Sequence, residues 1–140
     1  KESGMIDVLA KTALSITAGN TWASFFMITW VSGIASAFVD NIPFAATMIP
    51  LIEVLNQSPA IAAEFHSAVS PLWWALSLGV GFGGNGTLIG SSAGVIAIGL
   101  AEKYGYKISF MQFFKIGFPF MIITIATGSA VLMIELMMKS

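Results

Sequence analysis

Asp40 and Asn41 stand side by side in an otherwise apolar stretch, with Ser36 shortly before them and Pro43 shortly after. We call residues 40–43 the first break. An ionisable group inside a bilayer is costly, and by default it indicates a functional site. Carboxylate and amide oxygens suit a hard cation, and a carboxylate can also carry a proton. The alternative interpretation is that Asp40 only caps the helix that follows.

A second break, residues 83–87, is rich in glycine and carries Asn85 and Thr87. Ser91 and Ser92 follow one turn later, and all four side chains again offer oxygen ligands. We expect the two breaks to form a pair, because transporters commonly build solute and ion sites from interrupted helices. The alternative for Asn85 and Thr87 is that they simply form a turn. The residues predicted to bind ion or solute are Ser36, Asp40, Asn41, Pro43, Gly84, Asn85, Gly86, Thr87, Ser91 and Ser92, with Na⁺ near Asp40, Asn41, Asn85 and Thr87.

The composition indicates that both breaks lie in a membrane protein. The chain has 140 residues, of which 56% are hydrophobic and 9% charged, whereas soluble domains average about 25% charged. A soluble domain of this length could not hide so much apolar surface. The net charge is −1 and no basic patch is present, so nucleic acid is not an expected partner. No nucleophile and base stand out as a pair, so we expect no enzyme and no cofactor beyond a coupling ion, Na⁺ or H⁺.

Apolar periodicity and its interruptions predict an all-α membrane protein. The chain divides into an amphipathic interfacial helix (1–20), a re-entrant helical hairpin (21–56), an extracytoplasmic loop (57–70), a broken transmembrane helix (71–102), a cytoplasmic loop (103–109) and a C-terminal transmembrane helix (110–138). The alternative for residues 1–20 is a soluble linker helix. Within the loop at 57–70 we expect a short helix over 60–68 and interpret His66 as a solvated loop residue.

The hairpin follows from the lengths of the apolar segments and the position of the first break. Pro43 lacks a backbone donor and disfavours helical angles at Ile42, so we expect the second half to begin at Phe44. The segment 44–55 is short for a crossing, which predicts a tip at mid-membrane. Lysines in or beside the loop 103–109 place that loop in the cytoplasm by the positive-inside rule. Both ends of the hairpin then lie outside.

Glycine recurs every three or four residues through the second break, at Gly79, Gly83, Gly86, Gly90 and Gly94. The run also fits the G-x-G-x-x-G pattern, but no strand–helix–strand unit surrounds it, as a dinucleotide site would require. Small residues at this spacing let a neighbouring helix approach closely. The pattern therefore predicts tight packing of the hairpin against the broken helix.

The two breaks together resemble the signatures of a transporter family. The run Ser36-Ala37-Phe38-Val39-Asp40-Asn41-Ile42-Pro43 resembles the hairpin-tip signature of ArsB/NhaD-type permeases of the ion transporter superfamily. The run Gly83-Gly84-Asn85-Gly86-Thr87-Leu88-Ile89-Gly90-Ser91-Ser92-Ala93 resembles their second signature. The resemblance implies two inverted repeats, each with a re-entrant hairpin and a broken helix. This chain would be the end of the second repeat, in a multi-pass protein of a bacterial or archaeal inner membrane.

The resemblance also implies a function. The chain would be part of an ion-coupled secondary transporter that moves an inorganic or organic anion, such as arsenite or a carboxylate, or exchanges Na⁺ for H⁺. Its expected partners are membrane lipid, the first inverted repeat, the small ion or anion and a second copy in a homodimer. The alternative hypothesis is a non-transporting membrane scaffold or assembly subunit.

Overall fold

The computed structural model describes residues 3–18, 20–59, 61 and 69–139 of the chain. The described part is helical and contains no strand, which confirms the all-α prediction. Its helices are α1 (Ser3–Ile16), α2 (Thr21–Ser36), α3 (Asn41–Asn56), α4 (Pro71–Gly83), α5 (Ser92–Lys103) and α6 (Phe110–Lys139). His66 and most of the short helix expected over 60–68 lie outside the described residues.

Capping hydrogen bonds, from a side chain at the start of α2 and from the backbone at the end of α5, define where these helices begin and end. The Asn20 side chain accepts hydrogen bonds from Trp22 N and Ala23 N, so α2 starts at Thr21. Helix α5 ends in a Schellman motif, in which Tyr106 N donates to Ala101 O. Gly105 provides the left-handed backbone that this motif needs, with φ +90°.

The first interruption lies earlier in the chain than the sequence predicted. Helix α2 ends at Ser36, and α3 begins at Asn41, so residues 37–40, which we call the hairpin tip, are the non-helical segment. The expectation that Pro43 breaks the helix and delays its start to Phe44 is wrong. Pro43 lies in the first turn of α3, where a backbone N–H has no acceptor within the helix, so its missing donor costs nothing there.

The second interruption is longer than expected. Helix α4 ends at Gly83 and α5 begins at Ser92, which leaves residues 84–91, called the connector below, between them. The sequence had predicted a break over residues 83–87 only. Helix α5 contains no buried residue, whereas α4 has many. The second interrupted helix is therefore packed on one side of its break and exposed on the other.

Helices α2 and α4 pack against each other over most of their lengths and run parallel. Gly79 lies against Thr29 and Gly83 lies against Gly33, so both helices advance in the same direction. A Cβ on Gly79 would lie 2.5 Å from Thr29 O, a distance that only a residue without a side chain permits. The predicted tight packing at the glycines is confirmed for this pair, and both helices end at the level of the breaks.

Helix α3 turns back along α4. Its last residue, Asn56, accepts a hydrogen bond from Ser70 Oγ (2.5 Å) just before α4 begins. Ile52 and Leu55 on α3 are fully buried beside Phe25 and Leu72 in the main core. Helices α2 and α3 thus form a hairpin whose open end lies beside the start of α4.

Helix α6 is antiparallel to α4, since Gly117 lies against Asn85 and Gly128 against Phe82. Within the described residues it supplies the one segment long and apolar enough to cross a membrane, Phe110–Met138. The helix continues through Pro119. Helix α6 therefore extends beyond the connector in both directions along its axis. Its apolar span provides a reference for the depth of the connector in a membrane.

Candidate functional site

The hairpin tip lies directly against the connector, so the two breaks meet in space. Thr87 on the connector is 1% exposed, and its Oγ1 donates a hydrogen bond to Ala37 O at the tip. Residues 37–40 end a helix, where carbonyl groups lack partners within the helix. The Thr87 hydroxyl satisfies one of these carbonyls from across the break.

Asn41, which directly follows the hairpin tip, donates a hydrogen bond to the connector. Its Nδ2 lies 2.9 Å from Gly90 O on the connector and 2.6 Å from Ser36 Oγ on α2. We assign this amide orientation from the network, since only with Nδ2 inward does the Asn41 amide donate to Gly90 O. Ser36 Oγ in turn donates to Val80 O at 3.2 Å. Ser36 and Asn41 therefore tie the start of α3 to both sides of the second break.

Asp40 and Ser92 connect the N-terminal ends of two helices. The Asp40 carboxylate caps α3 by accepting from Ile42 N at 3.2 Å, and it also accepts a hydrogen bond from Ser92 Oγ. Ser91 caps α5 by accepting from Gly94 N at 3.1 Å. Asp40 is partly exposed and Ser92 is exposed, unlike the buried Thr87. The positive ends of the α3 and α5 dipoles converge on this exposed carboxylate.

The predicted glycines of the connector are packing residues. Gly84 and Gly86 are both buried. A Cβ on Gly84 would lie 2.8 Å from the Asn41 amide, and one on Gly86 would lie 2.9 Å from the Ala37 Cβ. Their lack of a side chain lets the connector close around the tip, and both lie beside the polar contacts described above.

Asn85 and Pro43 lie apart from these polar contacts. Asn85 is exposed and lines a groove of about 610 Å³ between the connector and α6, together with Lys107, Phe113 and Gly117. Pro43 is exposed on the first turn of α3. The structure therefore brings Ser36, Asp40, Asn41, Thr87 and Ser92 together, while Asn85 faces a separate space.

The oxygen atoms at the breaks have the chemistry that a small hard cation prefers. Hydroxyl, carbonyl and carboxylate oxygens are all present, with Asp40 as the charged group among them. Among the described residues, no three His, Cys, Asp or Glu side chains come together. The Na⁺ site near Asp40, Asn41, Asn85 and Thr87 stays a prediction.

Two features of the site had no counterpart in the sequence prediction. The carbonyl oxygens of Ala37 and Gly90 are the acceptors that join the breaks. Met121 on α6 is fully buried against the tip in a cluster with Ala37 and Ile125. The small residues Gly33 on α2 and Ala37 at its C-terminal end, four positions apart, were the signal that could have located this close contact.

Comparison with known proteins places the chain in a transporter family. The model of the citrate transporter family (CitMHS) matches residues 1–79. The P protein of Sus scrofa is 47% identical over 112 residues, which cover 80% of this chain and 13% of that protein. An uncharacterized transporter of Mycobacterium tuberculosis is 41% identical over 128 residues, covering 91% of this chain and 29% of the relative.

A 46 kDa membrane protein of Mycobacterium leprae is 33% identical over 139 residues, which cover 99% of this chain and 32% of that protein. The chain thus spans a third or less of the length of these relatives. No solved structure matches. Relatives named as transporters and as a membrane protein support an integral membrane protein that is not an enzyme.

Proposed function

The chain belongs to the citrate transporter family, and we propose that it forms the part of an ion-coupled secondary transporter that holds an anionic solute at its two breaks. The observation that carries this proposal is the hydrogen bond from Ser92 to Asp40. That bond joins the N-terminal ends of α3 and α5, and Ile42 N points at the same carboxylate. Converging helix N-termini favour a negative charge, which Asp40 supplies in this structure.

The same arrangement suggests how ion and solute are coupled. A solute carboxylate or oxyanion would need the donors that Asp40 now occupies, and two negative charges at one site repel each other. A Na⁺ ion or a proton on Asp40 would remove that repulsion and release Ser92 and the α3 terminus to the solute. Asp40 is therefore the residue through which cation binding and anion binding depend on each other.

The depth of the breaks supports a re-entrant hairpin. Met121 lies against the hairpin tip and against Gly86 on the connector. The apolar span runs from Phe110 to Met138, so its middle is residue 124, about 5 Å from Met121 at the rise of an α-helix. A tip near mid-span agrees with a site near the bilayer midplane, where transporters place their solute and ion sites.

The rest of the transporter completes the site in this proposal. Because the chain spans a third or less of its relatives, we assign the first inverted repeat and any remaining solute ligands to other parts of the protein. The multi-pass arrangement, the ArsB/NhaD-type architecture, the homodimer and the location in a bacterial or archaeal inner membrane belong to the same proposal. The family description favours a carboxylate such as citrate over arsenite as the solute.

The test is a flux measurement on the full-length protein in liposomes, with Asp40→Asn compared with the wild type. We expect citrate flux in Asp40→Asn to lose its dependence on Na⁺ or pH, because the neutral amide neither repels the solute nor needs a cation to neutralise it. Citrate uptake driven by a Na⁺ or pH gradient should fall about tenfold, as for the loss of a coupling free energy of roughly 1–3 kcal/mol. Glu53→Gln is the control, because it removes an exposed carboxylate from α3, the helix that Asp40 caps. Unchanged flux and unchanged cation dependence in Asp40→Asn would show that Asp40 does not couple the two.

A further inference from the structure

The buried polar contacts at the breaks form a reciprocal pattern. Thr87, which belongs to the connector, donates to Ala37 O at the hairpin tip. Asn41, which directly follows the tip, donates to Gly90 O on the connector at 2.9 Å. Each break therefore supplies one side chain that satisfies a backbone carbonyl of the other.

Neither side chain has a hydrogen-bond donor left for a solute. The single hydroxyl proton of Thr87 goes to Ala37 O, and Thr87 is 1% exposed. An amide NH₂ offers two protons, and Asn41 uses them on Gly90 O and Ser36 Oγ. Asn41 is no more buried than Asp40, but Asp40 carries acceptor oxygens rather than donors, and Ser92 is exposed. By the bonds they make, the polar residues of the breaks thus separate into an inward-facing pair, Asn41 and Thr87, and an accessible pair, Asp40 and Ser92.

The packing around the inward-facing pair leaves no room for another group. A Cβ on Gly84 would lie 2.8 Å from both polar atoms of the Asn41 amide. A Cβ on Gly90 would lie 2.9 Å from Ala37 O, the carbonyl that Thr87 binds. A Cβ essentially never approaches other atoms this closely. The glycine backbone of the connector therefore packs directly against both hydrogen bonds, at Gly84 and at Gly90.

We propose that Asn41 and Thr87 are positioning residues that form a reciprocal clamp between the hairpin tip and the connector. They do not bind the transported solute. The clamp fixes the start of α3 relative to the start of α5, and so it sets the separation between Asp40 and Ser92. This inference rests on the proposed function only for the role of the accessible pair, since the clamp itself consists of hydrogen bonds within this chain.

The clamp is tested by hydrogen–deuterium exchange on the full-length protein in lipid nanodiscs without solute. Backbone amides of the tip bond only to α2, as Phe38 N does to Ala35 O, so their exchange reports opening of the tip. In Thr87→Val we expect amides at 37–39 to exchange about tenfold faster, the factor that corresponds to one buried hydrogen bond. Thr87→Ala gives the same measurement without the added methyl group, in case valine is not accommodated.

A clamp predicts that a substitution in either segment speeds amide exchange in the other, which a purely local disturbance would not do. Asn41→Leu should accelerate exchange at the connector amides of Gly86 and Gly90, which bond only within residues 83–90. Thr87→Ser keeps the hydroxyl and should exchange like the wild type. Thr127→Val is the matched control, because its hydroxyl bonds to Ile123 O on its own helix.

The outcome distinguishes a clamp from a ligand role. If Thr87 and Asn41 bound solute, their variants would exchange like the wild type without citrate and would lose only the protection that citrate adds. That result, or faster exchange confined to the break that carries the substitution, would overturn the proposal. Because the decisive measurement is made without solute, it stands whether or not the protein transports citrate.

Discussion

The two interrupted helices of this chain are built alike but end differently. In both, a helix stops, a short non-helical segment follows, and a polar cap starts the next helix, Asp40 for α3 and Ser91 for α5. After the hairpin tip the chain reverses, and α3 buries Ile52 and Leu55 in the main core. After the connector the chain departs from the core, and α5 buries nothing. The same local construction thus yields one anchored and one unanchored helix.

This difference shows where the site gets its rigidity. The hairpin tip is held by α2, which packs closely on α4, and by α3, which packs on the core. The first turn of α5 has only its cap and the bond from Ser92 to Asp40. In the described structure, the position of Asp40 is therefore set by packing, whereas the position of Ser92 is set by hydrogen bonds.

The largest expected effect compares one isoleucine on each of the two departing helices, buried on α3 and exposed on α5. Ile52 on α3 is 0% exposed, and Ile96 on α5 is 63% exposed. Removing side-chain carbons from a packed core leaves a cavity, so Ile52→Ala should destabilise the protein by about 2–5 kcal/mol. Ile96→Ala should change stability by no more than about 0.5 kcal/mol, as exposed substitutions do. Thermal unfolding of the full-length protein in detergent measures both.

Equal losses in the two variants would contradict the comparison between anchored and unanchored helices. That outcome would mean that α5 is covered by other parts of the transporter as fully as α3 is covered by α4. A loss in neither variant would contradict the assignment of Ile52 to the core.

The next effect concerns the helices before the breaks. A Cβ on Gly83 would overlap the backbone of Gly33, with the Gly33 Cα 2.9 Å away. Backbone cannot move aside as a flexible side chain can, so Gly83→Ala should destabilise the protein by about 1–3 kcal/mol or more. Gly81→Ala is the matched control on the same helix, because a Cβ there would meet nothing within 4 Å. Thermal unfolding midpoints of the two variants should therefore differ clearly, and equal midpoints would refute the close contact of α2 and α4.

Much of this arrangement followed from the sequence because polar residues in an apolar chain are few. Asp40 and Asn85 marked the two breaks, and the glycine spacing at Gly79 and Gly83 predicted the close approach of a neighbouring helix. Composition was sufficient for the all-α class. These features depend on residue type and spacing, which can be read directly.

The sequence predictions failed where the structure depends on specific contacts, most of them between residues that are distant in the chain. Pro43 predicts a break from local backbone preferences, but its place in the first turn of α3 depends on where Asp40 caps the helix. Asn85 is as polar as Asn41, yet it is exposed and lines the groove beside α6. Whether an amide points inward is decided by acceptors from distant segments, such as Gly90 O, and no local pattern specifies them.

The smallest expected effect tests how the unanchored helix begins. Ser91 Oγ accepts from Gly94 N, and α5 has no buried residue that would hold its first turn in place without this bond. Ser91→Ala should therefore fray that turn, at a cost of about 1 kcal/mol, and should raise amide exchange at Gly94 roughly fivefold. Ser91→Asn retains a capping oxygen and should exchange like the wild type.

The equivalent cap on α4 provides the contrast for this last prediction. Ser70 Oγ accepts from Leu72 N, but Pro71 and Leu72 are buried, so packing holds the first turn of α4 when the cap is removed. Ser70→Ala should accordingly change amide exchange near Trp73 less than Ser91→Ala changes it near Gly94. If both caps prove equally important, packing does not distinguish the two helices. If only Ser91 matters, the accessible half of the site is held by hydrogen bonds that a bound solute could exchange for its own.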